Sequence, residues 1–600
     1  MSKKTWLMLF LPLLLFAQYR GERVVEKSFE PADYFFRSYY LNPYNLKDFG
    51  QAAAGLLDNP FLNLRLNPAA LRPDSSRNTF VYLDFRGDRE EIVPYGGYRP
   101  FLYNSYDRAA VVIDPRWYST VVTQPQPIFS LGLLLYPFGK SVQLSATWQV
   151  LYRVGPYFQT PAWIYNARYG YDYAGRAMVS ADVPVVDRRG GDDEMIDFGQ
   201  RASAFLSWAL SSRWQAGVGA NWVLNRREGV YGRFYNPPYS TSEEQTLQYN
   251  RSYREKYQDY GHSDISAGLL YRREEIGEAG VSLGYLKGKV KQRYALGDSS
   301  LYDNRPGSEP DNWYFSYRRN RENQNWRHDG QVWHGTLHFT LNLAPQRRLR
   351  GYYTYRQTQI ELTNSSVIFD TSRYASHSNN AWYDSQYLSW SVVDDQRKGS
   401  GKKKRYEHEA QLSLLLNETA RTQIYLGLYF KRSRMEIISR EPALVNNRSY
   451  YYHYFHNYEQ DKTHIYTNRY RLYEDKELEW IYTAWRQTVQ IPVMLRFKLG
   501  ENWHLMLSAN KIWRLWRIED QTTAYFTVRR KEHNGTVDEE TYFGERYREP
   551  DRTFSENYVQ VLCGLDVDVS EHFKVRMLVD PEAEPDLHVA EWWLAFELSL

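Results

Sequence analysis

The feature that most restricts what this chain can become is a two-residue alternation that returns again and again in pairs. Residues 330–360 read GQVWHGTLHFTLNLAPQRRLRGYYTYRQTQI. One side of the first run carries Val332, His334, Thr336, His338, Thr340 and Asn342. The other side carries Trp333, Gly335, Leu337, Phe339, Leu341 and Leu343. A period of two is the strand period. The run is longer than an ordinary strand of about 5–6 residues. It matches the roughly 9–11 residues that a bilayer-crossing strand needs, apolar on one side and polar on the other. After the turn at residues 344–347, a second run passes through Tyr353, Tyr355 and Gln357.

The same unit recurs. Tight turns at residues 137–140, 211–213, 273–279, 344–347, 417–419, 500–502 and 570–572 are each flanked by alternating runs. A first strand begins near Thr79, and a last one carries Trp592, Leu594, Phe596, Leu598 and Leu600 on one side. Seven hairpins and two end strands make about sixteen strands, an even number that leaves both chain ends on one side of a membrane. Most joints between hairpins run to about 35–50 residues, and short turns on one side with long loops on the other is the outer-membrane pattern. The fold class is therefore all-β: a transmembrane antiparallel up-and-down β-barrel of about sixteen strands, with short periplasmic turns and long extracellular loops. A soluble sandwich or propeller would have to cover its apolar faces with a second sheet. Trp148, Trp208, Trp222, Trp333, Trp503, Trp513 and Trp592 stand near strand ends, where an interfacial aromatic girdle forms.

Composition fits this architecture. A negative mean hydropathy is compatible with a barrel, because half of each strand and all the loops face water. No interior run of apolar residues approaches a membrane helix. The 53 Tyr and 19 Trp suit surfaces that are wet at one end and apolar at the other. Residues 1–18 have the form of a signal peptide: Lys3 and Lys4, an apolar core from Trp6 to Phe16, and a cut near Ala17. Residues 19–76 then form an N-terminal periplasmic or hatch segment, and residues 77–600 the barrel. The single cysteine, Cys563, excludes an internal disulfide and sits on an apolar strand face. A net charge of +4 is small for this length and neutral on nucleic acid, and the export signal speaks against it.

Within the N-terminal segment, residues 51–57 (QAAAGLL) have the composition of a short helix, and residues 67–71 read NPAAL just before the first strand. This pairing resembles the FadL-like outer-membrane proteins and is similar to their relatives among secretion-associated barrels of the PorV type. The resemblance implies that the N-terminal segment folds as a hatch inside the barrel, with Asn67 and Pro68 as its motif. It also implies that the cargo is hydrophobic. The chain is longer than is typical of that family, and its strand count exceeds the family's fourteen.

Alternation assigns a set of polar side chains to the inner face: Gln143, Ser145, Thr147, Asp264, His334, His338, Glu407, Glu409, Arg496, Lys498, Asp566 and Asp568. A barrel of about sixteen strands is wide enough for an aqueous lumen. These groups either line a channel or pair with one another to hold a hatch. Glu407 with Glu409, and Asp566 with Asp568, are carboxylates two apart on one face, a geometry open to cation binding or acid–base work; in a wet lumen such pairs are usually just solvated. His334 and His338 would lie about 13 Å apart at strand rise, too far to chelate one metal. Residues 187–194 (DRRGGDDE) hold oxygen ligands without the spacing of a calcium loop. Residues 399–405 (GSGKKKR) lack the form of a phosphate loop and read as a flexible basic stretch near anionic headgroups. Tyrosine-rich stretches at 235–239, 249–260, 313–317, 450–458 and 466–473 read as aromatic loops over the outer mouth.

No catalytic motif, metal site or cofactor motif stands out. The expectation is a bacterial outer-membrane barrel, not an enzyme, acting as a passive channel or transporter with a plugged or gated lumen. Its partners would be outer-membrane lipids and, by resemblance, a hydrophobic small molecule. The alternative is a non-transporting platform that offers its tyrosine-rich loops to surface or secretion proteins.

Overall fold

The computed structural model describes residues 36–44, 47–57, 59–70, 79–88, 127–137, 141–156, 194–235, 247–305, 311–344, 346–419, 421–548, 552–582 and 588–599. Two short helices, α1 (Lys47–Leu56) and α2 (Pro60–Leu66), come first. The strands follow as β1 (Thr79–Asp88), β2 (Phe129–Leu135), β3 (Val142–Pro156), β4 (Glu194–Ala209), β5 (Trp214–Tyr235) and β6 (Leu247–Arg273). Next are β7 (Gly277–Asp303), β8 (Asn312–Ala344), β9 (Arg347–Asn379), β10 (Tyr383–Thr419), β11 (Thr422–Asn457) and β12 (Lys462–Lys498). The last are β13 (Trp503–His533), β14 (Thr536–Arg548), β15 (Arg552–Asp568), β16 (Phe573–Glu582) and β17 (His588–Ser599).

Neighbours in sequence pair antiparallel, except that β15 pairs with β13 rather than with β14, and β1 bonds to both β2 and β17, so the sheet closes on itself. β13 pairs with β15 over residues 503–518 and with β14 over residues 521–533. Seventeen strands therefore make a barrel of sixteen, with β14 set beside β13 beyond its pairing with β15. All seven tight turns expected from sequence join consecutive strands. Closure gives every strand of the ring two neighbours, which is the condition for crossing a bilayer without unpaired backbone.

The long joints differ from their sequence reading. Residues 249–260, 313–317, 450–457 and 466–473 are strand, not loop, and β8 to β12 run to 33–37 residues each. The basic stretch 399–405 lies in the middle of β10, with Arg405 buried inward. The barrel wall thus rises well past any bilayer as a tall sheet. The physical reason is that both faces of this tower are polar or mixed, so the apolar/polar contrast that reveals a strand is missing. Residues 1–35, 187–193 and 236–239 lie outside the described residues.

The outer face shows where the bilayer sits. Leu283, Leu337 and Leu428 point outward and are exposed, while their inward neighbours Ser282, His338 and Tyr429 are buried. Cys563 lies half-buried opposite Leu507 and Val579. Aromatic groups top this band: Trp333 packs on Tyr285 at 4.6 Å, and the Tyr353 hydroxyl meets His408 Nδ1 at 2.8 Å. Above them the outward face turns charged, with Lys287, Lys289 and Asp329 exposed. Replacing an outward residue within the band should be costly in proportion to its depth. Leu283→Arg is expected to destabilise the barrel by about 2–4 kcal/mol, read from urea-dependent refolding into lipid vesicles. Lys289→Ala, above the band, should change that midpoint little.

Candidate functional site

Residues 36–44, 47–57 and 59–70 lie inside the barrel and touch its wall on several sides. Asn59 caps α2 by accepting from the Phe61 N–H at 3.0 Å, and Pro60 opens the helix where no N–H is needed. Helix α1 presents Ala52, Ala53 and Ala54, all fully buried. Small side chains let its backbone approach β10 closely enough for Gln411 Nε2 to donate to the Ala52 carbonyl at 2.8 Å. Phe61 packs between Phe80 and Tyr82 of β1, with ring centroids at 6.0 and 5.8 Å. Leu41, Leu56, Leu57 and Leu62 share one apolar cluster with Leu134, Met494, Met506 and Trp593 from the wall.

Asn67 and Pro68 dock on β5, β6 and β7. Asn67 Nδ2 donates to the carbonyls of Leu269 and Val281 at 3.1 and 3.3 Å, and lies 3.1 Å from His338 Nε2. Asn67 Oδ1 accepts from the Ala69 N–H at 2.9 Å, which fixes the turn. This approach requires glycine in the wall: a Cβ on Gly268 would collide with Asn67 Oδ1, and one on Gly217 with the Pro68 carbonyl group.

The polar residues expected on the inner face fall into distinct groups. Gln143, Ser145 and Thr147 are buried on β3, where Gln143 accepts from Gln215 Nε2 at 3.3 Å and Thr147 bonds to Ser203. Asp264 receives the Tyr40 hydroxyl at 3.1 Å and lies 2.9 Å from His334 Nε2. His334 and His338 therefore serve different partners. Glu407 is met by Arg405 and Lys431 at 2.9 Å and by Arg37 and Arg356 at 3.5 Å. Glu409 accepts from the Tyr352 hydroxyl at 2.7 Å and pairs with Arg65 at 3.5 Å. Near the tight turns, Asp566 binds Arg576 at 2.8 Å and Arg496 at 3.1 Å. Lys498 is exposed at that mouth, and Asp568 sits between Lys574 and His504 at 3.3 and 3.6 Å. The two carboxylate pairs thus hold counter-charges and wall contacts rather than open water. Among the described residues no group of three or more acidic, histidine or cysteine side chains is placed to hold a metal.

Beyond Arg496 and Lys498, sequence reasoning missed the cations. Arg37, Arg65 and Arg350 tie the inner segment to the wall, and Arg356 and Lys431 brace Glu407 within it; Arg350, for example, donates to the Leu57 carbonyl at 2.7 Å and to Asn63. Inward parity on β9 and β11 was the available signal. Also missed was an apolar layer further up the inner face. Val290, Val332, Ile360, Leu362, Ile437 and Trp480 are buried there with Phe36, whose N–H donates to the Tyr260 hydroxyl at 2.7 Å. On the opposite side of the segment a cavity of about 420 Å³ opens among Tyr44, Leu57, Leu134, Arg348, Met494 and Lys574.

Above the apolar layer the tower encloses a second charged group. Arg397 binds Asp395 at 2.8 Å and lies 4.0 Å from the fully buried Glu441, neither of whose carboxyl oxygens has a hydrogen-bond partner. The outward faces at this height carry exposed Arg440 bonded to Glu479 at 3.2 Å, so this part stands in water, above the bilayer band. Burial pushes the Glu441 carboxyl up to about 8, with Arg397 opposing the shift and Asp395 adding to it.

No family model matches the chain, and no curated protein matches it. Solved structures similar to it include the CymD monoaromatic hydrocarbon channel, at 10% identity, covering 93% of this chain and 97% of that one with a TM-score of 0.32. A Pseudomonas aeruginosa FadL homologue is similar at 10% identity, covering 94% and 99%, with a TM-score of 0.32. A ferric enterobactin receptor mutant from Pseudomonas aeruginosa is similar at 10% identity, covering 91% and 84%, with a TM-score of 0.25.

Two outcomes follow from this geometry. Gly268→Val should drive Asn67 off the wall and expose residues 36–70 to hydrogen exchange and protease, while the exchange pattern of the strands stays as in the unaltered protein. Glu441, neutral in the fold and ionised when unfolded at neutral pH, stabilises the tower fully only below the ordinary carboxylate range. That contribution declines as pH rises toward about 8 and is gone above it. Hydrogen exchange in residues 436–446 should therefore speed up over this window, and Glu441→Gln should flatten the dependence.

Proposed function

We propose that this protein is an outer-membrane channel or transporter for hydrophobic small molecules, passive in action and closed at rest by residues 36–70. The observation that carries the reading is the apolar layer on the inner face directly beyond that segment. A lumen built for water and ions keeps polar walls, whereas Val332, Ile360, Ile437, Leu478 and Trp480 pack into a buried apolar layer, surroundings that favour an apolar solute over water once that packing parts. A barrel with an exposed apolar band and short turns on one side is suited to a bacterial outer membrane, with the turns in the periplasm. On this reading the docked Asn67 and the paired Glu407 and Glu409 hold the closed state. Passage requires the segment to shift while the wall stays intact. The polar side chains assigned to the lumen act as fasteners, and no catalytic role is proposed for them.

A second reading rests on the tower. Tyr314, Tyr374, Tyr387 and Tyr451 of four successive strands pack edge-to-face at 4.7–5.0 Å and are half-exposed near its tip. Tyrosine-rich faces with serine between them suit adaptable protein contact, so the tower also fits a platform for a surface partner.

Planar-bilayer recording separates the two. The intact protein is expected to be silent to ions, and a variant lacking residues 19–70 to open large steady conductances. Uptake of a labelled apolar compound by cells should fall roughly tenfold in Ile437→Arg, because a charge in the apolar layer must be desolvated with no partner. Unchanged uptake in a correctly folded Ile437→Arg would remove the transport reading and leave the platform.

A further inference from the structure

The outer wall of β10 to β13 carries a cationic patch directly above its apolar band. Along β11, Leu426, Leu428 and Phe430 face outward and are exposed, and the next two outward residues are Arg432 and Arg434. In the register, Tyr406 lies opposite Arg434, Arg434 opposite Trp485, and Trp485 opposite Arg517. The guanidinium groups of Arg434 and Arg517, from the strands on either side, lie 5.8 and 5.4 Å from the centre of the Trp485 ring. Attraction between a guanidinium and an aromatic ring restrains the side chain without using up its N–H donors. Arg517 spends part of its donor set on Glu519 at 2.8 Å. Arg432 and Arg434 make no ion pair with any described residue. The first carboxylate above them, Glu436, faces Lys404 in the register without pairing to it.

Position narrows what this patch can meet. It sits directly on top of the apolar band, level with the end of the hydrocarbon and below the ion-paired wall of Arg440 and Glu479. Groups that pack there are lipid headgroups. Two arginines two residues apart on one strand face are about 7 Å apart at their Cα atoms, close enough for both forks to reach one tetrahedral oxyanion. We propose that Arg432 and Arg434, ordered by Trp485 and supported by Lys404, bind the phosphate of a lipid in the outer leaflet, holding that lipid against this side of the barrel. The proposal rests on the placement of the barrel in a bilayer but not on transport.

The test uses the purified full-length protein and two probes, bisphosphoryl lipid A and its fully dephosphorylated form, with retained lipid counted by native mass spectrometry. The unaltered protein is expected to hold the phosphorylated form about tenfold or more tightly than the other, with the difference shrinking as salt is added. Arg432→Gln/Arg434→Gln should abolish the preference, and Arg440→Gln, on the same strand but already paired, should keep it. Equal retention of the two lipids by the unaltered protein, or equal loss in Arg440→Gln, overturns the proposal. Vesicle insertion, read by heat-modifiable gel mobility, is measured alongside. If the unaltered protein does not insert, the bilayer placement fails and this proposal with it; insertion without lipid preference removes the proposal alone.

Discussion

Every level of this structure depends on one constraint: no backbone N–H or C=O can go unpaired in hydrocarbon. A strand can meet that demand only with a neighbour on each side, and a ring of strands is the arrangement with no edge. The β1–β17 pairing completes the ring, with Phe80 opposite Ser599 and Asp88 opposite Glu591. Once the ring exists, alternation divides each strand between lipid and lumen. Leu283 and Ser282, one bond apart in sequence, then live in different solvents. The seven tight turns, the even strand number and the inward polar set all descend from the same requirement.

The ring creates a second problem, because a barrel this wide has an interior to fill. The described residues between 36 and 70 pack against the wall there, and the contacts divide the labour. Apolar packing around Phe61 and Leu62 supplies burial, which is not selective about orientation. Orientation comes from directional contacts: Asn67 on two strand carbonyls, Arg350 on the Leu57 carbonyl, and Arg37 and Arg65 on neighbouring carboxylates. Buried ion pairs add little net stability over apolar substitutes, but removing one partner leaves an uncompensated charge. Glu407, with four cations around it, makes any displacement of Arg37 tolerable, since three remain on the wall itself. By contrast, Glu409 pairs with Arg65 of the segment and otherwise accepts from the neutral Tyr352 hydroxyl. The segment is therefore held more stiffly at α2 than at Arg37, and a shift that begins near Phe36 costs less than one that begins at Asn67.

Legibility in the sequence followed solvent contrast. Where lipid lies on one side and a polar lumen on the other, as from Val142 to Val150 or Val332 to Leu343, alternation showed both the strand and its register. The helix at residues 51–57 and the turn at Asn67 and Pro68 were visible because alanine, glycine and proline have narrow backbone roles. The tower was not visible. From Lys431 to Asn446 on β11, outward residues include Arg434, Ile438 and Leu444, and inward ones Lys431, Ile437 and Glu441, so neither face has a single character. Arg405 and Lys431 escaped for a related reason: both hold inward parity, but the outward Lys404 and Arg432 beside them are charged as well. Trp480 and Ile437 were hidden the same way, and with them the apolar inner layer.

Above the bilayer the demand for closure lapses, because water can satisfy an edge. β14 exploits this: among the described residues it pairs with β13 alone and presents its other side to solvent. An open edge invites pairing with another chain unless it is spoiled. Asp538, Glu539 and Glu540 place consecutive charges along it, and Tyr542 interrupts the ladder between Thr541 and Phe543 with a φ of 54°, a backbone conformation that a bulky residue rarely adopts. Arg529 meanwhile pins the strand to the wall, bonding Glu545 of β14 and Glu474 of β12 at 2.8 Å or less. The tower is thus a sheet freed from the barrel rule that formed it, and β14 carries charges and a distortion where a strand of the ring carries a partner.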